Sequence, residues 1–195
     1  MTIEAPNEDR PIFHIRPYRV GDEVGWVRCR VLAFLDTAYF DNVLREKEQY
    51  QHPAIELVAE AQGQIVGLMD VELEGDKGML WHVAVHPDFR RQSIASRLLE
   101  EVLSQAKAGS IDRLEAWTRD DPPAREWYLS RGFRPIHSYW HVYMEGGEEM
   151  NGIVRCSVPA LLPVSAFAHY IGDQAQTIKN RFKRMHECCL YELTL

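Results

Sequence analysis

Val83-Ala84-Val85-His86-Pro87-Asp88-Phe89-Arg90-Arg91-Gln92-Ser93-Ile94-Ala95-Ser96-Arg97 is the stretch that decides the fold. An apolar strand ends at Val85, passes through a basic turn and enters an amphipathic helix. The first N–H groups of a helix have no intrahelical partner and carry the positive end of its dipole, so this arrangement holds a phosphate with backbone alone. Arg90, Arg91 and Gln92 add side-chain donors to the same anion, while Ile94, Ala95 and Ser96 supply the first helical amides. Ser93 brings a hydroxyl able to donate to phosphate or to cap the helix.

Apolar residues recur outward from this turn with periods that assign the neighbouring elements. Ile94, Ala95, Leu98, Leu99, Val102, Leu103 and Ala106 share a helical face, and Gly109 stands where a C-terminal cap belongs. Upstream, residues 55–61 and 65–73 are apolar runs joined by Gln62-Gly63-Gln64, which predicts an antiparallel hairpin. A Gly75-Asp76-Lys77-Gly78 turn leads into a further strand over 79–85. A right-handed crossover through the helix lays the next strand, 111–118, parallel to it. Residues 12–17 read as a first strand, followed by a helix capped by Asp22 that carries Val24, Val27, Val31 and Phe34 or Leu35 inward. The chain up to Pro53 is then expected to be mostly helical.

The composition limits what such a chain binds. Lysine and arginine number 22 against 29 acidic residues, a net charge of −7. No strong positive field surrounds the protein, which argues against a nucleic-acid binder and makes any anion site local. No long apolar run predicts a membrane span, and the polar, acidic segment 1–11 does not read as a secretory signal, so the cytoplasm is the expected compartment. Cys29, Cys156, Cys188 and Cys189 show neither metal-ligand nor disulfide-framework spacing. Reduced thiols and no metal site are expected.

A second motif follows the 111–118 strand. Asp121-Pro122-Pro123 opens a helix carrying Ala124, Trp127 and Tyr128, and Gly132-Phe133 turns the chain into a two-sided strand over 133–144. Arg90, Ser93 and Ala95 resemble the pyrophosphate loop of the GNAT superfamily of N-acyltransferases, Arg or Gln, two residues, Gly, one residue, then Gly or Ala. Ala124, Trp127, Tyr128, Gly132 and Phe133 resemble the second signature of the same superfamily. The resemblance spans residues 12–144. It departs at Ser93, where the family has Gly, and at Asp121, where the family often has Asn.

This resemblance implies an α/β GNAT acyltransferase fold, a mixed central sheet flanked by helices, with acetyl-CoA as acyl-donor cosubstrate. Tyr128 then lies beside the thioester sulfur as general acid, its unperturbed pKa of about 10 keeping it protonated at neutral pH. The 79–85 strand splays from its neighbour so that backbone at Val83, Ala84 and Val85 meets the pantetheine arm as an inserted strand would. His82 is the titratable side chain within that strand and the candidate general base, with Glu72, Glu74 or a water chain as alternatives. No well-placed nucleophile is visible, so transfer is expected to be direct, to a primary amine on a small molecule or a peptide. Trp26, Phe34, Asp36, Tyr39, Phe40, Trp81 and Tyr139 are candidates for lining the acceptor pocket. The rival reading is a non-catalytic acyl-CoA-binding or interaction module with the same fold.

Residues 146–195 exceed the usual family core, and the whole chain reads as one domain. Val164, Ala168, Ile171, Ala175, Ile178, Phe182 and Met185 form an interrupted heptad-like stripe, which predicts two short helices inserted before a terminal strand over 188–195. The stripe suits packing on the domain's own sheet, a homodimer seam being its other use.

Overall fold

The structure, a computed structural model, describes residues 12–195; the segment 1–11, expected to carry no secretory signal, lies outside the described residues. The chain divides into two compact units, residues 12–116 with 193–195 and residues 117–192.

In the first unit the strands β1 (His14–Pro17), β2 (Ala54–Ala61), β3 (Gln64–Glu74), β4 (Lys77–Val85) and the start of β5 (Arg113–Thr118) lie side by side in that order. The first three pairings are antiparallel and β4 with β5 is parallel, as the crossover rule requires. The hairpin turn places Gln62 and Gly63 both at positive φ, the tight geometry that matches strand twist. Helix α2 (Ile94–Ala108) packs Ile94, Leu98, Leu99, Val102 and Ala106 inward. Its first turn comes so close to β3 that a Cβ on Gly67 would stand 2.5 Å from Ile94 Cγ2. Glycine is required there by contact, not by backbone angle.

Helix α1 (Glu23–Phe34) buries Trp26, Cys29, Arg30 and Ala33 against Val58, Leu68 and Ala84, while Val24 and Leu35 face solvent. Of the expected inward stripe, Val27 and Phe34 pack against this core, while the centre of the buried face is Trp26, whose indole removes far more apolar surface from water. Residues 35–53 are not helical. They form turns and extended chain, begun by Thr37 Oγ1 donating to the Phe34 carbonyl at 2.9 Å and held by polar contacts to α1, β2, β3 and β4.

The second unit contains helix α3 (Pro122–Ser130) and an antiparallel sheet in the order β8 (Arg184–Thr194), β6 (Arg134–Glu145), β7 (Ser165–Tyr170). The terminal strand pairs with β6 as expected, but it starts earlier, at Arg184. One of the two expected helices is instead strand β7. Its sequence, Ser-Ala-Phe-Ala-His-Tyr, alternates with period two, and the β6 edge supplies the backbone partners that this period needs, with Trp140 opposite Tyr170 and Met144 opposite Ala166. The short helices α4 (Gly147–Met150) and α5 (Ala175–Lys179) complete the insertion. Val142, Met144 and Met150 form its core with Ala166, Ala168, Ile178 and Phe182 around them.

Candidate active site

The loop from β4 to α2 combines backbone in the left-handed region with a helix start that lacks a side-chain cap. Arg91 at φ 59° and Ser93 at φ 62° both adopt the left-handed conformation that non-glycine residues avoid, which costs about 1 kcal/mol or more at each. Alternating handedness of this kind turns successive amides inward to form an anion-binding concavity. Ser93 occupies the N-cap position of α2 but makes no capping hydrogen bond. The first amides of that fifteen-residue helix are therefore free of a side-chain acceptor, and no acidic residue stands in its first turn. Arg91 is exposed. Arg90 also contributes Nη2 to the Ala33 carbonyl at 2.9 Å, which ties the loop to the end of α1. Gln92 Oε1 is buried without a partner. Ile94 points its side chain into the core, so it offers the site only its amide.

Strand β4 leaves its pairing with β5 before it reaches this loop. Its register with β5 runs only from Lys77 to Met79, so residues 80–85 have no strand partner on that side among the pairings of the first unit. On the other side the register with β3 slips at Asp70, where His82 faces Asp70 and Leu80 faces Val71, leaving Trp81 as the extra residue of a bulge. Bulges of this kind free ladder groups and redirect side chains. Ala84 is packed into the core, while Val83 and Val85 alternate to the opposite face. Trp81 is half exposed and donates its indole N–H to Glu72 Oε2 at 2.9 Å.

His82 lies buried between α1 and the 35–53 segment. Arg30 Nε donates to its Nδ1 at 3.3 Å, which leaves the ring proton on Nε2, and Nε2 donates to Glu48 Oε2 at 2.8 Å. Trp26 stands edge-on at 5.1 Å. Burial, reinforced by the Arg30 charge and opposed by Glu48, lowers the His82 pKa to about 4. Both nitrogens are thus engaged and the imidazole is neutral at physiological pH. A proton acceptor needs a free lone pair, and here both ring nitrogens of His82 are committed to Arg30 and Glu48.

Behind it lies a buried network that sequence reasoning missed. Lys47 pairs with Asp70 at 3.1 Å and with Glu56, and Tyr50 donates to Asp70 at 3.0 Å. Burial pushes the Asp70 carboxyl up to about 6 despite these partners. Arg30 donates to the Asn42 carbonyl and side-chain oxygen at 2.7 and 2.9 Å. The visible sign was an aspartate inside the apolar run Ile65-Val66-Gly67-Leu68-Met69-Asp70-Val71, since a buried carboxylate demands a partner. Lys47 and Glu48 gave no sign, because a charged run in a loop reads as solvated.

In the second unit Tyr128 is the buried residue of α3. Its ring is edge-on to Phe133 at 5.2 Å and stacks on Tyr191 at 5.4 Å. Gly132, at φ 86°, ends the helix so that Phe133 returns beneath it. Asp121 occupies the N-cap position without a capping hydrogen bond from its side chain. Tyr139 packs among Trp117, His141 and His169. Of the other pocket candidates, Trp26 is core, Phe34 packs on Tyr39 at 5.3 Å, and Phe40 and Asp36 are exposed. Cys29 is held as a thiol, burial pushing its pKa up to about 12, and burial raises Cys188 and Cys189 as well. These thiols are poor nucleophiles. Among the described residues no cluster of His, Cys, Asp and Glu suits a metal ion, and no helix is long and apolar enough to cross a membrane.

Comparison with known proteins identifies the family and the fold. Residues 53–135 match the family model described as an acetyltransferase (GNAT) domain. An acetyltransferase of Pectobacterium atrosepticum is 30% identical over 99 residues, 51% of this chain and 68% of the relative. One from Yersinia enterocolitica is 32% identical over the same shares. The fold is similar to that of the ribosomal-protein-S18-alanine N-acetyltransferase of Escherichia coli, with a TM-score of 0.60, 12% identity and 94% of each chain covered. It is also similar to a GNAT acetyltransferase of Elizabethkingia anophelis with acetyl-CoA bound, with a TM-score of 0.54, 16% identity and 96% and 100% coverage. The chain therefore belongs to the GNAT acetyltransferase family and is an acyl-CoA-dependent enzyme whose cosubstrate is acetyl-CoA.

Proposed function

We propose that this protein transfers the acetyl group of acetyl-CoA directly to a primary amine, with the two units acting as one catalytic domain. The observation that carries the reading is the β4–α2 loop, where strained backbone at Arg91 and Ser93 and an uncapped fifteen-residue helix present amides to an anion. Strain of this order persists where function needs the geometry.

Acetyl-CoA supplies an activated acyl group as a thioester. The chain's residues bind, orient and move protons. Amides of residues 94–96 and the Arg91 guanidinium hold the pyrophosphate, assisted by Gln92, Ser93 and the remaining donors of Arg90. The open edge of β4 pairs with the pantetheine amides, and backbone N–H at Val83 polarises the thioester carbonyl. Tyr128 donates its phenolic proton to the departing thiolate. On the accepting side the ammonium proton leaves toward the His82 end of β4. The buried thiols support direct attack by the amine, without an acyl-enzyme.

The acceptor is a primary amine of a small molecule or a peptide. The E. coli neighbour, by its description, acts on a ribosomal-protein alanine, which makes peptide N-termini part of the panel to assay. Thiol release from acetyl-CoA with such a panel tests the reading. Tyr128→Phe is expected to lose turnover and keep acetyl-CoA affinity; equal turnover by this variant would remove Tyr128 from the chemistry.

A further inference from the structure

We propose that Glu48 is the general base of this enzyme, with His82 and Arg30 as the residues that position it. The proposal rests on the acetyl-transfer reading and names the proton acceptor that the reading needs. Five contacts within the first unit carry it. Arg30 Nε donates to His82 Nδ1, His82 Nε2 donates to Glu48 Oε2, and Arg30 is itself fixed by two hydrogen bonds to Asn42 and by the Phe34 ring 4.5 Å beneath its guanidinium. An arginine cannot accept a proton, so the imidazole is confined to one tautomer and Nε2 always presents hydrogen to the carboxylate.

Glu48 differs from the other acids nearby in being both tethered and reachable. Its side chain is 53% exposed, whereas the side chain of Asp70 is fully buried and committed to Lys47 and Tyr50. Glu72 is occupied by the Gln51 and His52 amides and by Trp81. Only one oxygen of Glu48 is used by His82, which leaves the other for an ammonium proton, taken directly or through one water. The tether also fixes its location. His82 immediately precedes Val83, whose backbone is assigned to the thioester carbonyl, so the carboxylate held by the His82 ring belongs to the same segment of β4. Other charged and titratable groups around this pair are Arg30 from α1, Asp70 from β3, and Lys47 and Tyr50 from the 35–53 segment.

The proton balance closes. An N–H bond of the ammonium breaks and the proton passes to a Glu48 oxygen, from which it leaves to solvent. The freed nitrogen pair forms the C–N bond, the C–S bond breaks, and Tyr128 protonates the thiolate. The second proton lost from nitrogen restores Tyr128.

The test is the pH profile of kcat/KM for thiol release with an amine that the wild type acetylates, measured for wild type, Glu48→Gln and His82→Gln, with acetyl-CoA affinity by calorimetry for each. Glu48→Gln is expected to lower turnover by about a hundredfold or more at neutral pH, to recover as pH approaches the pKa of the amine, and to bind acetyl-CoA like the wild type. His82→Gln is expected to retain the acid limb with a displaced midpoint, and the double variant to be no slower than Glu48→Gln. Should His82→Gln fail to fold, the surface change Glu48→Gln decides alone. Wild-type turnover and profile in Glu48→Gln would overturn the base assignment and leave acetyl transfer standing. A wild type that binds acetyl-CoA yet releases no thiol with any amine would overturn both.

Discussion

Acidification from pH about 7 to about 4 should remove from the fold the stability gained by keeping His82 neutral. The imidazole has an ordinary pKa of about 6.5 when the chain is unfolded and about 4 in the native site, where burial and Arg30 oppose its charge. A base whose native pKa is depressed binds its proton more weakly when folded. Its contribution is therefore complete above pH about 6.5 and disappears as pH falls toward 4. The difference, roughly 2.5 units at 1.36 kcal/mol each, is on the order of 3 kcal/mol. Screening reduces it little because the ring is buried. Asp70 acts in the opposite sense over an overlapping range: its pKa is raised to about 6, so protonation favours the native state and stability falls as pH rises through that interval. Wild type alone would mix the two. The assay is urea unfolding of wild type and His82→Gln at matched pH values, read as the difference between them. That difference should fall by about 3 kcal/mol between pH 7 and pH 4. A difference independent of pH would refute the buried, neutral imidazole and the tautomer argument built on it.

Ser93→Gly should stabilise the native state by about 1 kcal/mol, because glycine adopts φ 62° without strain; thermal melting checks this, and a lower melting point would show that the hydroxyl contributes more than the backbone costs. Gly67→Ala should cost about 1–3 kcal/mol by pressing on Ile94. Because Ile94 begins α2, this variant should also weaken acetyl-CoA binding; unchanged stability and affinity would contradict that packing. Iodoacetamide on native protein should label exposed Cys156 and spare buried Cys29, Cys188 and Cys189, which mass spectrometry of digests would resolve.

Local patterns carried most of the fold. The Gln62-Gly63 hairpin, the α2 stripe and the parallel return into β5 each follow from turn chemistry or periodicity within a short window, and each stands in the structure. Two of the differences share one cause, a pattern that two arrangements satisfy, whereas the 35–53 segment is held by side-chain contacts with distant elements that no local window shows. The four-and-three spacing over 164–171 also alternates, and the neighbouring β6 edge decides for a strand. On α1, two overlapping faces have helical spacing; Val27 and Phe34 of the expected one pack on the core whose centre is Trp26. The strand, turn and helix of the β4–α2 loop were legible because they are contiguous. The Arg30–His82–Glu48 chain was not, since its members are separated by 52 and 34 residues and each is unremarkable in its own window.

On the proposed reading, the β4–α2 loop holds the cosubstrate's pyrophosphate. Calorimetric titration of wild type and Arg91→Ala with acetyl-CoA and with S-acetylpantetheine, which lacks the pyrophosphate, tests it most directly. Loss of one charge-assisted contact should weaken acetyl-CoA binding by about tenfold or more and leave S-acetylpantetheine binding unchanged. Equal acetyl-CoA affinity in wild type and Arg91→Ala, or equal loss for both ligands, would contradict the account.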